Sequence, residues 1–239
     1  MKILLCSIYF VIFLDSYALT SSIIIPCYYG HFKHLKKLLS SLSKQTELPE
    51  EVIVSLSECD KIPVTEVESL QKNSYPFKLV IIKHRKKLSA GANRNSACFH
   101  AHGDILICQD ADDLPHPQRI EIIKYFFSHY NIAHLIHRWV DFKKTDTKFY
   151  WEKYHKEKID FFYPKYWEQS DNYDYITHGN IAIKKDVFKQ IRWSTISVGE
   201  DVLFNQHVFE KFKKTIIIDA FLLDYRSYLS SQGSKKVHS

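Results

Sequence analysis

Three carboxylates follow a short apolar run in the middle of the chain. Residues 105–108 read ILIC, and Asp110, Asp112 and Asp113 come just after them. Such a run, bounded by polar residues, predicts a strand that is buried on both faces. In extended chain, residues i and i+2 point to the same side, so we expect Asp110 and Asp112 to present oxygens to one point. Hard oxygen ligands suit Mg²⁺ or Mn²⁺, which keep open positions for substrate phosphates, so the spacing predicts a divalent-metal site.

A second interpretation of the same acids is structural. Aspartate is a favoured N-cap residue, and Pro117 suits the first turn of a helix that would begin after the acids. A D-x-D triplet is also short and common. The choice between a metal site and a helix cap therefore depends on the elements around the triplet.

The segments before the acids alternate between two periodicities. Continuous apolar runs predict strands, and apolar residues at i, i+3, i+4 and i+7 predict a helix, as at Leu35, Leu38, Leu39 and Leu42. Gly103 is placed to cap the C-terminus of the last of these helices. Strands alternating with helices predict right-handed βαβ units and a parallel sheet, which binds ligands at its carboxyl edge. The predicted strands cover residues 22–26, 51–56, 78–83 and 105–108, and further helices cover residues 64–73 and 89–102.

The second half of the chain has a different pattern. Residues 143–175 are rich in Tyr, Trp, Lys and Asp with little periodicity, which predicts a long loop. Gly199 opens a helix that continues to about residue 211. We expect one domain over residues 21–230, divided near residue 130, with a flexible tail at 231–239. The other predicted elements are strands at 134–142 and 176–184, a short helix at 186–191, and two strands or one bent strand at 215–218 and 220–225.

Length, charge and cysteine spacing narrow the class of protein. The 239 residues are 45% hydrophobic and 25% charged, which is globular composition, and the length suits one domain with a real core. A formal net charge of +6 favours anionic partners such as nucleotides, although the basic residues are spread over many segments. There is no dense arginine tract or zinc-finger spacing, so no nucleic-acid partner is expected. Cys27, Cys59, Cys98 and Cys108 form no C-x-x-C pair, and we expect buried thiols more than disulfides.

The N-terminal residues have the pattern of a targeting segment. Lys2 precedes an apolar run at residues 3–14 that is broken only by Ser7, and Ala18 ends a stretch typical of a cleavage site. We predict a signal peptide over residues 1–18, which places the protein in the lumen of the secretory pathway or outside the cell. The alternatives are an uncleaved signal anchor that holds the fold close to the membrane, or an additional buried strand. Without a signal function the protein would be cytoplasmic.

Four pieces of the sequence, in this order, resemble the family-2 glycosyltransferases of GT-A fold. The resemblance covers about residues 21–226 and implies an α/β fold with a mixed, mostly parallel sheet flanked by helices. The matching pieces are SSIIIPCYYGHFKHLKKLLSSLSKQT for the opening strand and helix, GANRNSACFHAHGDILICQDADD for the R-N helix and D-x-D strand, HGNIAIKKDVF for the acceptor-side segment, and GEDVLF for the late E-D motif.

The resemblance implies a donor site for a nucleotide-diphospho-sugar, most often a UDP-sugar. Asp112 would be the first ligand of Mn²⁺ or Mg²⁺, and Asp110 would contact the ribose or the metal through water. Asp113 would cap the next helix. Negative charge grows on the diphosphate as it leaves, so a divalent cation there is the main electrostatic aid. Among the late histidines, neither His207 nor His238 is a convincing third metal ligand.

The same resemblance implies contacts to the rest of the nucleotide. Tyr28 would stack on the base and Pro26 would let the backbone pass it. The family's acidic residue after the second strand has no direct match, and Glu58 is its substitute here. Arg94 would reach the base or a phosphate, with Lys87 as a weaker phosphate candidate.

Further residues would act on the sugar and on the acceptor. Asp201, in the E-D motif, would take the proton from the acceptor hydroxyl, because one carboxylate opposite the leaving group suffices as general base. Glu200 would contact the acceptor or orient Asp201, although both acids also suit a helix N-terminus. Arg226 would contact the diphosphate from the C-terminal loop. The remaining candidates, which would line the donor-sugar pocket, are His178, Gly179 and Asn180.

The sequence therefore predicts an inverting, metal-dependent glycosyltransferase of the hexosyl or N-acetylhexosaminyl class. Its partners would be a nucleotide-sugar donor and a glycan, protein or lipid acceptor, with membrane proximity through the N-terminus. One alternative is a sugar nucleotidyltransferase, but the segment after the first strand, PCYYG, lacks the Gly-rich, Arg-containing loop of that class. The other is a non-catalytic relic that binds sugar nucleotides or glycans.

Overall fold

The structure is a computed structural model that describes residues 18–141, 151–166, 180–196 and 198–226. Residues 1–17 of the predicted signal peptide lie outside this part of the chain. So do the predicted pocket residues His178 and Gly179 and the tail at 231–239.

The first half of the chain forms the predicted alternation of strands and helices. Apolar runs form strands whose residues are almost all buried, and the leucines spaced at three and four residues form the inner face of the first helix. The strands are β1 (Ser21–Tyr28), β2 (Glu51–Ser57), β3 (Lys78–His84) and β4 (Ile105–Cys108), and the helices are α1 (Phe32–Leu42), α2 (Val64–Lys72) and α3 (Ala90–Phe99).

The second half adds short strands and three helices. Of the two alternatives predicted for the C-terminal segment, two strands or one bent strand, the structure has a single strand, β9. Its register against β6 shifts between His137 and Arg138 and again between Arg138 and Trp139. The elements are β5 (Leu114–Pro115), α4 (Arg119–His129), β6 (His134–Val140), β7 (Phe161–Phe162), β8 (Ile181–Lys184), α5 (Lys185–Gln190), α6 (Glu200–Phe212) and β9 (Thr215–Asp224).

In the described part of the chain, nine strands form one mixed sheet. Its order is β3-β2-β1-β4-β8-β6-β9-β5, and β7 pairs with β9. The parallel pairings, such as β1 with β2 and β6 with β9, are longer than the antiparallel ones. Because β1, β2 and β4 are parallel, their carboxyl ends meet at one edge. The pairing of Leu114 with Asp224 brings the end of β9 to the same edge.

The sheet has an apolar layer on each face. Side chains of α1, α2 and α4 pack on one face, and side chains of α3, α5 and α6 pack on the other. Successive residues of β1 alternate between the layers, with Ile23 and Ile25 in one and Ile24 in the other. As predicted, the four described cysteines carry free thiols, and only that of Cys59 is not fully buried. Among the described residues, no helix combines the length and hydrophobicity that crossing a membrane requires.

Two predicted helix ends differ from the structure. Helix α3 ends at Phe99 with His100 as its C-cap, so the prediction that Gly103 caps it is wrong. Gly103 instead lies against β1, where its N–H donates to the Ser22 hydroxyl at 2.9 Å. Helix α4 begins after Gln118, whose side chain makes no cap hydrogen bond. None of the three aspartates after β4 caps this helix, so the purely structural interpretation of the acids is wrong.

The close approach of Gly103 to β1 makes a stability prediction. A Cβ atom on Gly103 would lie 2.7 Å from both the carbonyl carbon of Ser21 and the amide nitrogen of Ser22. This strand backbone cannot move aside, so Gly103→Ala should lower the free energy of unfolding by about 1–3 kcal/mol. Chemical denaturation monitored by circular dichroism measures the change. The control His102→Ala removes a mostly exposed neighbouring side chain and should have little effect, and an equal effect of both variants would contradict the packing argument.

Candidate active site

The three aspartates lie on a turn at the carboxyl end of β4. The Asp113 N–H donates to the Asp110 carbonyl oxygen at 3.3 Å, which closes the turn. The chain is therefore not extended here, and the reason given for expecting Asp110 and Asp112 on one side was wrong. Asp112 and Asp113 are buried, whereas the side chain of Asp110 is 21% exposed. We refer to residues 110–113 as the acidic turn.

A buried arginine joins the acidic turn to the start of α6. The Arg94 guanidinium, on α3, lies 3.0 Å from Asp110 Oδ1 through Nη2 and 2.8 Å from Glu200 Oε1 through Nη1. Its side chain is only 5% exposed. Burial by itself would lower the pKa of Arg94, but the carboxylates of Asp110 and Glu200 outweigh it and raise that pKa. The D-x-D and E-D motifs, far apart in the sequence, thus meet on one guanidinium.

This arrangement gives Arg94 and Glu200 partners that the sequence did not predict. Two of the Arg94 nitrogens are engaged by carboxylates, and its contact to a base or phosphate stays a prediction. Glu200 is buried with Oε1 directed at Arg94, and its contact to the acceptor also stays a prediction. Both residues are therefore best described as positioning residues in this structure.

Asp201 lies in the first turn of α6, next to Glu200. Its Oδ1 accepts from the Val202 N–H at 2.9 Å, and its side chain is half-buried. Its neighbour Glu200 is linked to Asp110 through Arg94, so Asp201 is one residue away from the bridge between the two motifs.

Helix α3 also holds the segment that leads into α6. The Asn95 side chain donates to the Trp193 carbonyl at 2.8 Å and accepts from the Trp193 N–H at 3.0 Å. The Trp193 ring in turn stacks on Phe204 of α6, with 3.7 Å between ring centroids. A Cβ atom on Gly91 would overlap the Ser194 carbonyl oxygen, so glycine is required for this approach. The R-N segment of the sequence therefore positions the E-D motif directly.

Arg226, two residues after the end of β9, contacts the acidic turn. The Arg226 N–H donates to Asp113 Oδ1 at 2.8 Å, and the Arg226 guanidinium donates to the Asp112 carbonyl oxygen at 3.4 Å. Asp113 thus anchors Arg226, and the prediction that it caps α4 is wrong, because that cap is Gln118. Pairing of β5 with β9 explains why Arg226 arrives here.

The acidic turn brings three carboxyl groups close together, and two of them, on Asp112 and Asp113, are buried from water. Burial, and then repulsion from Asp110, raises the pKa of Asp112 to about 7. Burial, followed by repulsion from Asp110 and Asp112, raises the pKa of Asp113 well above its usual range. A divalent cation would relieve this repulsion, so the chemistry of the oxygens fits Mg²⁺ or Mn²⁺. Among the described residues, no cluster of three or more His, Cys, Asp or Glu is able to hold a metal.

The predicted nucleotide contacts lie at the ends of β1 and β2. The Tyr28 ring folds back over Gly30, where a Cβ atom would overlap it, and lies 4.4 Å from the His31 ring. Pro26 is inside β1 and pairs with Ser55 of β2. Glu58 follows β2 with a left-handed backbone (φ 55°), and its carboxylate is paired with the Lys61 ammonium. Base recognition by Glu58 would therefore have to share this carboxylate with Lys61.

Three other residues, the candidates Asn180 and Lys87 and the rejected His207, have no described contact with the acidic turn. Asn180 is fully buried, and its amide donates to the His137 carbonyl, which ties the start of β8 to β6. Lys87 is exposed between β3 and α3, and His207 is exposed on α6. Lining of the donor pocket by Asn180 stays a prediction.

A second buried arginine, Arg119 on α4, was not predicted from the sequence. It supports the acidic turn through the end of β4. The guanidinium of Arg119, on α4, donates to the Cys108 carbonyl at 2.7 Å, to Gln109 Oε1 at 2.9 Å and to His137 Nε2 at 2.9 Å. The Gln109 amide then donates to the carbonyls of Asp110 and Asp113, at 3.0 and 3.3 Å. This relay holds the turn in its shape.

The charge states in this relay follow from burial. Burial lowers the pKa of Arg119 to about 10, so it stays a cation, and burial and then Arg119 lower the pKa of His137 well below its usual range. Neutral His137 accepts from Arg119 at Nε2 and donates from Nδ1 to the Arg138 carbonyl at 2.8 Å. Nothing in the sequence distinguishes Arg119 from a solvated arginine at the start of a helix.

The pairing of Arg94 with Asp110 and Glu200 leads to a prediction about stability. Arg94→Met leaves Asp110 and Glu200 without their buried counter-charge, so the free energy of unfolding should fall by about 3–5 kcal/mol. Urea denaturation measures it. As a control, Lys189→Met removes an exposed ion pair with Asp186 and should change little. If Arg94→Met unfolds at the same urea concentration as the control, the guanidinium does not hold the two motifs together.

Comparison with known proteins identifies the family of this chain. A family model described as Glycosyl transferase family 2 matches residues 22–192. An uncharacterized glycosyltransferase of Methanocaldococcus jannaschii is 28% identical over 233 residues, which cover 91% of this chain and 76% of that protein.

Solved structures are similar in fold. S. aureus TarS (residues 1–349) in complex with UDP superposes with a TM-score of 0.67 at 18% identity, covering 87% of this chain and 60% of the TarS chain. Glucosyl-3-phosphoglycerate synthase of Mycobacterium tuberculosis, solved with Mn²⁺ and UDP, gives a TM-score of 0.61 at 13% identity, with coverage of 87% and 72%. Identities this low show the fold alone. Together with the match to the family model, they establish that this chain belongs to glycosyltransferase family 2 and has the GT-A fold.

Proposed function

We propose that this protein transfers a hexosyl or N-acetylhexosaminyl group from a UDP-sugar to an acceptor hydroxyl, with inversion at the anomeric carbon. The observation that carries the proposal is the convergence of the D-x-D and E-D motifs on Arg94. Transfer with inversion needs one group that binds the leaving diphosphate and another, on the opposite side of the anomeric carbon, that takes the acceptor proton. The D-x-D motif would supply the first group and the E-D motif the second. Relatives of this fold solved with UDP, and in one case with Mn²⁺, support the choice of donor and cation.

The acidic turn would bind the diphosphate end of the donor. Asp112 would hold a divalent cation there, and when bound the cation neutralises the charge that grows on the leaving diphosphate. The Arg226 guanidinium, 3.4 Å from the Asp112 carbonyl, is close enough to contribute a second positive charge. Tyr28, at the end of β1, would offer its ring to the base.

Asp201 would act as general base on the acceptor. It lies in the first turn of α6, next to Glu200, which pairs with Arg94. Because Arg94 holds Glu200, the first turn of α6 has a defined position relative to the acidic turn. A single displacement assisted by one carboxylate inverts the anomeric centre, in contrast to the paired carboxyls of glycosidases. The acceptor would be the hydroxyl of a glycan, a protein or a lipid.

The metal role predicts the behaviour of Asp112→Asn. Replacing the carboxylate by an amide removes a charged ligand, so metal-stimulated UDP release from the donor should be abolished. A coupled assay of UDP release with and without Mn²⁺ measures this effect. EDTA should abolish the activity of the wild-type enzyme. The control Asp186→Asn changes an exposed aspartate on α5 and should keep wild-type activity. Metal-stimulated activity in Asp112→Asn, with EDTA harmless to the wild type, would refute the metal role.

The base role predicts a different result for Asp201→Asn. UDP binding should persist, because Asp201 is not proposed to touch the nucleotide, while transfer should fall by about 100-fold or more. Calorimetric UDP titration and a transfer assay separate the two effects. The isosteric Asp219→Asn, at an exposed site on β9, serves as control. Loss of UDP binding in Asp201→Asn would show that this acid only caps α6.

A further inference from the structure

We propose that His31 is a second protein ligand of the divalent cation, beside Asp112, and that it makes the site prefer Mn²⁺ over Mg²⁺. This inference rests on the proposed function, because it concerns the same cation. His31 ends the short turn between β1 and α1, and no role in the site was predicted for it from the sequence.

The distance between the two side chains suits a shared ion. His31 Nε2 lies 3.5 Å from Asp112 Oδ2. This separation is long for a hydrogen bond between an imidazole and a carboxylate. Two ligand atoms that are each about 2.1 Å from one ion lie about 3.0–3.5 Å apart when they occupy neighbouring coordination positions. The pair therefore needs almost no movement to bind one cation.

In each of the other two acids of the turn, one carboxylate oxygen has a partner that competes with a metal. Asp110 Oδ1 is engaged by Arg94, and Asp113 Oδ1 accepts from the Arg226 N–H. His31 Nε2, 3.5 Å from Asp112 Oδ2, is a nitrogen donor already placed beside the carboxylate of Asp112. Its ring is held in position by the Tyr28 ring, at a centroid distance of 4.4 Å.

The expected preference for Mn²⁺ over Mg²⁺ follows from the types of ligand that each ion binds. Mg²⁺ takes oxygen ligands and dehydrates reluctantly, whereas imidazole nitrogen is a good ligand for transition metals. One histidine and one carboxylate leave most coordination positions to the donor diphosphate and water. A site of this composition should discriminate against Mg²⁺ even though both ions satisfy the same charge requirement.

The test measures metal binding without activity. Free Mn²⁺ is followed by electron paramagnetic resonance as it titrates the full-length chain with saturating UDP, and Mg²⁺ is then added as a competitor. For His31→Ala we expect Mn²⁺ affinity to fall by about 10-fold or more, with Mg²⁺ affinity changed much less. His31→Asp, which offers oxygen instead, should restore cation binding with the preference moved toward Mg²⁺, and it provides a second reading if the alanine variant folds poorly.

The matched control is His34→Ala, which removes the neighbouring ring on α1, 6.2 Å from that of His31. It should leave the Mn²⁺-to-Mg²⁺ ratio unchanged. An unchanged ratio in both His31 variants would overturn the proposal while leaving the role of Asp112 intact. Wild-type Mn²⁺ binding by Asp112→Asn would instead place the cation elsewhere and overturn the proposed function itself.

Discussion

The arrangement of this site depends on the pairing of one buried charge. The Arg94 guanidinium lies in the interior, where an uncompensated cation would be very costly, and two carboxylates from distant parts of the sequence pair with it. One carboxylate follows β4 and the other begins α6. The loop that would bind the donor and the helix that would present the base are therefore held in one geometry by the requirement that this charge be paired.

A second buried cation and a short strand pairing complete the construction. Arg119 bonds the end of β4 and, through Gln109, the backbone of the acidic turn. The pairing of β5 with β9 brings Arg226 onto Asp113. The acidic turn is thus held by α4 through Arg119 and by the residues after β9 through Arg226. Such rigidity lets repelling carboxylates stay close together, which is the condition that favours a divalent cation.

Much of the fold was predictable because its signals are local. Apolar runs and the leucine spacing of α1 identify strands and helices, and the order of four motifs identifies the family. Contacts between distant residues left no such signal. Asp113 has the sequence position of a helix N-cap, but its carboxylate accepts from the Arg226 N–H. Gly103 has the position of a helix C-cap, but it packs on β1. Arg119 has the position of a solvated arginine, but its guanidinium is buried and donates to the Cys108 carbonyl. Glu58 follows β2, but its pairing with Lys61 could not be predicted from the sequence.

We propose that the acidic turn and the first turn of α6 form the two sides of one catalytic cleft. A crystal structure of the protein with UDP and Mn²⁺, using anomalous scattering to locate the metal, tests this most directly. We expect one metal peak bound by Asp112 and the diphosphate, with the Asp201 carboxylate facing the place where the sugar would be attached. A diphosphate bound on another surface, or an Asp201 directed away from the metal, would contradict it.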